Sequence, residues 1–204
     1  MKCQDEARAA CLVSSKRIVN EQVIIPDDVD TLKIVYFPDP VLKHAAHPIS
    51  AFDSRVGALA RRMLELMRHH EGVGLAAPQV GLGLRLFVCN ATGEPADDMV
   101  CANPRFIELN GAEKQSEGCL SIPNVNVTMR RALSATIEAF DVEGHRFRRT
   151  GEGLLARVWQ HETDHLDGRL IIDAMSPTDE LANRRIIKQL KDDYTARTKR
   201  TKRP

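Results

Sequence analysis

Residues 161–165 read His-Glu-Thr-Asp-His, which sets two imidazoles four positions apart with a glutamate directly after the first. Four positions is one helical turn, so the pattern brings both rings onto one face only if the segment is helical. The flanking residues agree. Leu154, Val158, His161 and His165 form one stripe, with Leu155, Trp159, Glu162 and Leu166 on the adjoining one. The spacing predicts a helix over about Glu152 to Leu166, stopped by Gly168. Its histidines extend an apolar face and point into the domain. Two core histidines with ordinary hydrogen bonds are the competing reading. Burying Glu162 beside them is costly without a cation or a proton partner, which favours a metal helix around which the domain is built.

Such a site needs a third protein ligand. The extended zinc-protease pattern HExxHxxGxxH holds through Gly168 and then fails, because Ile171 stands where its third histidine belongs. The only glutamate downstream, Glu180, suits the first turn of a following helix. Upstream, Cys119 in "SEGCLSIP" stands out, since Gly118 lets the backbone bend to present a thiolate. His145 is the other option, although it falls in an expected hairpin turn. Cys89 and Cys101 lie in strand-like runs and read as small buried hydrophobes, while Cys3 and Cys11 fall near the N-terminus. Five widely spaced cysteines with no CxxC pair indicate reduced thiols rather than a disulfide framework. Nitrogen and sulfur donors together suit zinc or iron.

The remaining chain reads as one α+β domain, with mixed or antiparallel sheets packed around the HExxH helix and a C-terminal helix. A short strand and a turn are expected in "LKIVYFPDPVL", and a helix from about Ser54 to His70, where apolar residues from Val56 to Met67 recur at helical spacing. Residues 85–90 and 99–109 read as strands, 125–129 alternate cleanly, and 136–148 read as a hairpin turning at Glu143–Gly144. A last helix starts at Ser176-Pro177. Residues 1–30 form an expected loosely ordered extension and 196–204 a basic tail, with the domain expected over 31–195. A net charge of +1 argues against specific DNA binding, and no apolar run reaches membrane-spanning length. "AACLV" (9–13), preceded by Asp5 and Glu6, is too short and too acidic for a secretory signal, and the acidic residues disfavour a transit peptide. A cytosolic setting is expected.

Three segments carry a resemblance: "GVGLAAPQVG" (72–81), "EGCLS" (117–121) and "HETDH" (161–165). In their order and approximate spacing they resemble the peptide deformylases, and the similarity runs over about residues 31–195, from "LKIVYFPDPVLK" to "DAMSP" and beyond. The resemblance implies that Cys119, His161 and His165 bind one metal ion per chain, usually Fe²⁺, with Zn²⁺, Ni²⁺ or Co²⁺ as substitutes. It implies that Glu162 is the general acid and base, that the Gln79 amide and the Leu120 N–H donate to the developing oxyanion, and that Gly74 helps to hold the substrate backbone. The substrates implied are N-formylmethionyl nascent polypeptides, with ribosome contact through the C-terminal helix and basic tail. The resemblance also implies that 31–195 is the catalytic domain and that the cytoplasm is a bacterial one. Glu117 is expected to hold its loop, Asp164 to face away from the metal, and Arg130 and Arg131 either to bind peptide carbonyls or to be solvated. A zinc endopeptidase and a non-enzymatic Cys–His–His metal module are the competing functions. The missing downstream ligand and the "EGCLS" segment count against the first.

Overall fold

The computed structural model describes residues 24–201, with side chains through Lys199. The apolar run at 9–13, Cys3, Cys11 and tail residues 202–204 therefore lie outside the described residues. Within the expected extension, Ile25 is buried in the main core and Val29–Thr31 form a 3-10 turn.

The described chain is an α+β domain with seven strands and three α-helices. Strands β1 (Gly74–Ala76), β2 (Leu86–Cys89), β3 (Met99–Asn110), β6 (Ser134–Phe140) and β7 (Arg146–Glu152) form an antiparallel sheet in the order β1-β2-β3-β6-β7. Strands β4 (Glu113–Cys119) and β5 (Ile122–Arg131) pair only with each other, as a hairpin joined by Leu120 and Ser121. Helix α1 (Ser54–His69) starts at Asp53, whose carboxylate accepts the Arg55 N–H at 2.9 Å, and buries Val56, Leu59, Ala60, Met63, Leu66 and Met67. The helical spacing selected five of these; it named Leu64, which is only half-buried, in place of the buried Leu66. Helix α2 (Gly153–Leu166) carries the HExxH run between the two sheets. Helix α3 (Pro177–Thr201) begins with a reciprocal cap, in which Ser176 Oγ accepts the Asp179 N–H and Asp179 accepts the Ser176 N–H.

Two local expectations change. No strand forms at 32–37. The Val35 N–H donates to the Gln79 carbonyl at 2.9 Å and the Phe37 N–H to the Ser121 carbonyl at 2.9 Å. Alternate donors thus go to two different elements, and the segment becomes a strap instead of joining one sheet. Along β5 the inward positions are Val125, Val127, Met129 and then Arg131, so Arg131 is buried rather than solvated. The alternation seen at 125–129, carried two residues further, points it inward.

Three apolar clusters make up the core. One joins α1 to β1 and β2, a second joins α2 to β2, β3 and β6, and a third joins the β4–β5 hairpin to α3 and the chain around residues 35–42. Leu120 packs against the first, Ala76 and Val158 belong to the second, and Cys119 packs against the third. The cleft described next lies where the three meet.

Candidate metal centre and active site

Four segments converge on one cleft of about 420 Å³, lined among others by Gly74, Gln79, Glu117, Cys119, Leu120, Arg157, His161 and Glu162. Gly74 comes from β1, Gln79 from a 3-10 turn over Ala77–Val80, Cys119 from the end of β4, and the remainder mainly from α2. His165 is buried, with only 2 % of its surface accessible.

Cys119, His161 and His165 offer ligand atoms that all lie within 4.8 Å of one another, and Cys119 Sγ is 3.3 Å from His165 Nε2. The two rings meet edge to face with centroids 5.0 Å apart, as one helical turn requires. A thiol and two imidazoles at this separation form a donor set that fits a borderline transition-metal ion. Glu162 adds a second sign: it is buried, and its Oε2 makes no hydrogen bond to the protein. Among the remaining sequence candidates, His145 sits exposed in the β6–β7 turn beside Asp141 and Glu143, and Glu180 lies in the first turn of α3. Cys89 and Cys101 are fully buried in the sheet, where burial pushes the Cys89 thiol up to about 12 and the Cys101 thiol well above its ordinary value.

Each side chain in the cleft is held from behind. Gln79 is buried, and its Oε1 accepts the Ala76 N–H at 2.7 Å. That bond fixes which end of the amide faces the cleft, leaving Nε2 as a donor 3.6 Å from Cys119 Sγ. Gly74 has no room for a side chain. A Cβ there would lie 2.3 Å from Glu162 Oε1 and 2.8 Å from Val158 Cγ1. The glycine therefore makes the space in which the glutamate stands.

The electrostatics divide the titratable groups. Burial pushes Glu162 up to about 7, against the pull of His161 and Arg131. Burial also lowers His165 well below the usual imidazole range, with His161 and Arg131 adding to the effect. For His161 burial opposes the charge, yet hydrogen bonds with Cys119 and Glu117 carry it well above that range. Glu117 is the centre of an ion network absent from the sequence reading. Its Oε1 accepts Arg131 Nε at 3.0 Å and Arg157 Nη1 at 2.7 Å. Its Oε2 accepts Arg131 Nη2 at 2.9 Å and lies 3.1 Å from His161 Nδ1. Although burial alone would raise it, the hydrogen bonds and charges of His161 and Arg131 hold the carboxyl at about 2. Asp164 turns away from the metal ligands, as expected, and pairs with Arg131 and Arg169. Arg157 escaped the sequence reading altogether. The available signal was a cation flanked by Ala156 and Val158 in an otherwise apolar stretch, one turn before His161.

Comparison with known proteins bears on the family. The family model described as polypeptide deformylase matches residues 31–181. A peptide deformylase from Dictyoglomus thermophilum is 47 % identical over 135 residues, covering 66 % of this chain and 86 % of that one. One from Rhodopirellula baltica is 36 % identical over 168 residues, 81 % of this chain and 84 % of the other. The crystal structure of a peptide deformylase from Legionella pneumophila superimposes with a TM-score of 0.75 at 38 % identity, covering 85 % of this chain and 99 % of its own. The three motif segments, the cleft into which they fold and these matches lead to one assignment: the chain belongs to the polypeptide deformylase family.

Proposed function

We propose that this enzyme removes the formyl group from the N-terminal formylmethionine of newly made polypeptides, using one metal ion held by Cys119, His161 and His165. The observation that carries the reading is the convergence of those three donors, the buried Glu162 and the Gln79 amide on one cleft. Cys119, His161 and His165 would hold a divalent ion, which would supply Lewis acidity to activate water and polarise the formyl carbonyl. Fe²⁺ is the ion we assign, following the family resemblance, with Zn²⁺, Ni²⁺ or Co²⁺ as substitutes.

The chain's own groups account for the proton and charge movements. Glu162 takes a proton from the water that attacks the formyl carbon. As the C–O bond forms, the carbonyl oxygen gains negative charge, which Gln79 Nε2 and the Leu120 N–H stabilise; one such donor is typically worth ~10²–10³ in rate. Glu162 then delivers its proton to the nitrogen as the C–N bond breaks, giving formate and a free N-terminus. A carboxyl held near neutrality by burial suits both halves of that task. Gly74 helps to hold the substrate backbone at the cleft edge. Residues 31–195 form the catalytic domain in this reading, and the setting is the bacterial cytoplasm. Exposed Arg184, Arg185 and Lys199 on α3, with the basic tail, would meet the ribosome. Co-sedimentation with ribosomes that persists after charge reversal at 184, 185 and 199 would sink that part.

The test is formate release. Purified without oxygen and loaded with Fe²⁺, the chain is expected to release formate from formyl-Met peptides and to leave internal peptide bonds intact. Release that survives Glu162→Ala, or no release with iron fully bound, overturns the proposal.

A further inference from the structure

Helix α2 places Arg157 exactly one turn before His161, and the cleft wall includes both. Arg157 is 7 % exposed, so its charge must be answered locally. Its Nη1 donates to Glu117 Oε1 at 2.7 Å, and its Nη2 donates to the Glu113 carbonyl at 3.3 Å. The same carboxylate receives His161 Nδ1 on its other oxygen. Arg157 and His161 thus grip one glutamate from two successive turns of one helix, and that glutamate belongs to the β4–β5 hairpin that carries Cys119.

We infer that Arg157 is a positioning residue for the metal centre: by pinning Glu117, it fixes the His161 ring with Nδ1 turned to the carboxylate and Nε2 turned to Cys119. The division of labour between the two arginines supports this. Arg131 is shared between Glu117 and Asp164, so it faces two carboxylates with one guanidinium. Arg157 meets its second carboxylate only at longer range, with Glu113 Oε2 4.0 Å away. Without Arg157, Oε1 loses its shortest donor and Glu117 is left to Arg131, which Asp164 also draws on, so its hold on His161 Nδ1 slackens. Ligand imidazoles depend on such partners, whose loss typically costs ~10–100-fold in metal affinity.

The inference rests on the metal reading above, so its test reads metal and not turnover. The chain is loaded with Zn²⁺, its stoichiometry is measured, and release into excess chelator is followed with a zinc-binding dye. Arg157→Met, which keeps an unbranched apolar stem, is expected to speed release by ~tenfold. In a Glu117→Gln background the same change is expected to alter release less than twofold, because the two residues act as one unit. Gln160→Leu is the control. It also loosens α2 from the turn between β5 and β6, by removing the bonds to Ala132, but it touches neither Glu117 nor His161. Release from Arg157→Met at the parent's rate overturns the inference. So does a full tenfold effect in the Glu117→Gln background, or equal acceleration by Gln160→Leu. If Arg157→Met does not fold, Arg157→Lys stands in: it keeps the charge but cannot reach both acceptors. Its acceleration supports the inference and a parental rate overturns it. A parent that binds no zinc sinks the metal reading itself, and is thereby distinguished.

Discussion

A missing side chain at residue 74 and a single hydrogen bond at residue 79 set the chemistry of the cleft. Glu162 stands in space that any Cβ at position 74 would take, at 2.3 Å from its Oε1. Gly74→Ala must therefore push the glutamate off its position or open β1 from α2. We expect a folded protein whose kcat falls ~10²-fold or more, the usual contribution of a placed general base. A circular dichroism melt beside the formate assay checks this, and wild-type kcat in the folded variant would show that Glu162 works from elsewhere. Gln79→Glu is a second probe. The carboxylate would place an acceptor against the Ala76 N–H and an anion where the oxyanion develops, so kcat is expected to fall ~10²–10³-fold. The glycine and glutamine were legible as part of the "GVGLAAPQVG" segment. The reason for the glycine was not, because a close approach between residues 74 and 162 is a tertiary fact.

At the level of elements, α2 and the β4–β5 hairpin are locked by ions as much as by apolar packing. The histidine spacing made α2 readable, and the alternation at 125–129 made β5 readable. What stayed hidden was the pairing between them. Glu117, Arg131 and Arg157 come from three separate stretches of chain, and each alone has the composition of a surface residue. The strap at 32–37 was misread for a related reason: its run of β-branched and aromatic residues suits a strand, while its N–H groups are divided between Gln79 and Ser121. The ion lock predicts an acid response. Glu117 is held at about 2 in the folded chain, against an ordinary 4.5. A depressed carboxyl contributes stability that is complete above the unfolded value and is lost as pH falls through the folded one. The urea midpoint of the parent is thus expected to fall between pH 4.5 and 2 more steeply than that of Glu117→Gln. At neutral pH the same variant leaves two buried arginines short of a partner, and a loss of ~3–5 kcal/mol is expected. Equal acid slopes in the two proteins would mean that Glu117 does not carry this linkage.

At the scale of the whole molecule, the described cysteines separate by their place among the three cores. Cys89 and Cys101 lie inside the second cluster with no accessible surface, whereas Cys119 sits half-buried where the third cluster meets the cleft. Only a thiolate attacks an alkylating reagent, and only where the reagent can reach it. Burial holds the Cys89 thiol at about 12 and the Cys101 thiol well above its ordinary value, so neither ionises in the native chain at pH 8. The sign of the linkage is the reverse of that for Glu117. A raised thiol stabilises the fold fully below its unfolded value near 9, and that contribution fades as pH climbs toward 12. Iodoacetamide at pH 8, followed by peptide mapping, is therefore expected to mark Cys119 in metal-free protein and to leave Cys89 and Cys101 unmodified until urea unfolds the chain. Adding Zn²⁺ beforehand is expected to protect Cys119 as well, since a coordinated sulfur is a poor nucleophile. Labelling of Cys119 at the same rate with zinc fully bound would remove it from the ligand set. Labelling of Cys89 or Cys101 in native protein would show that the second core opens on the timescale of the reaction. Because α2 packs against that core through Val158, Trp159 and Leu166, such opening would also loosen the helix that carries both histidines.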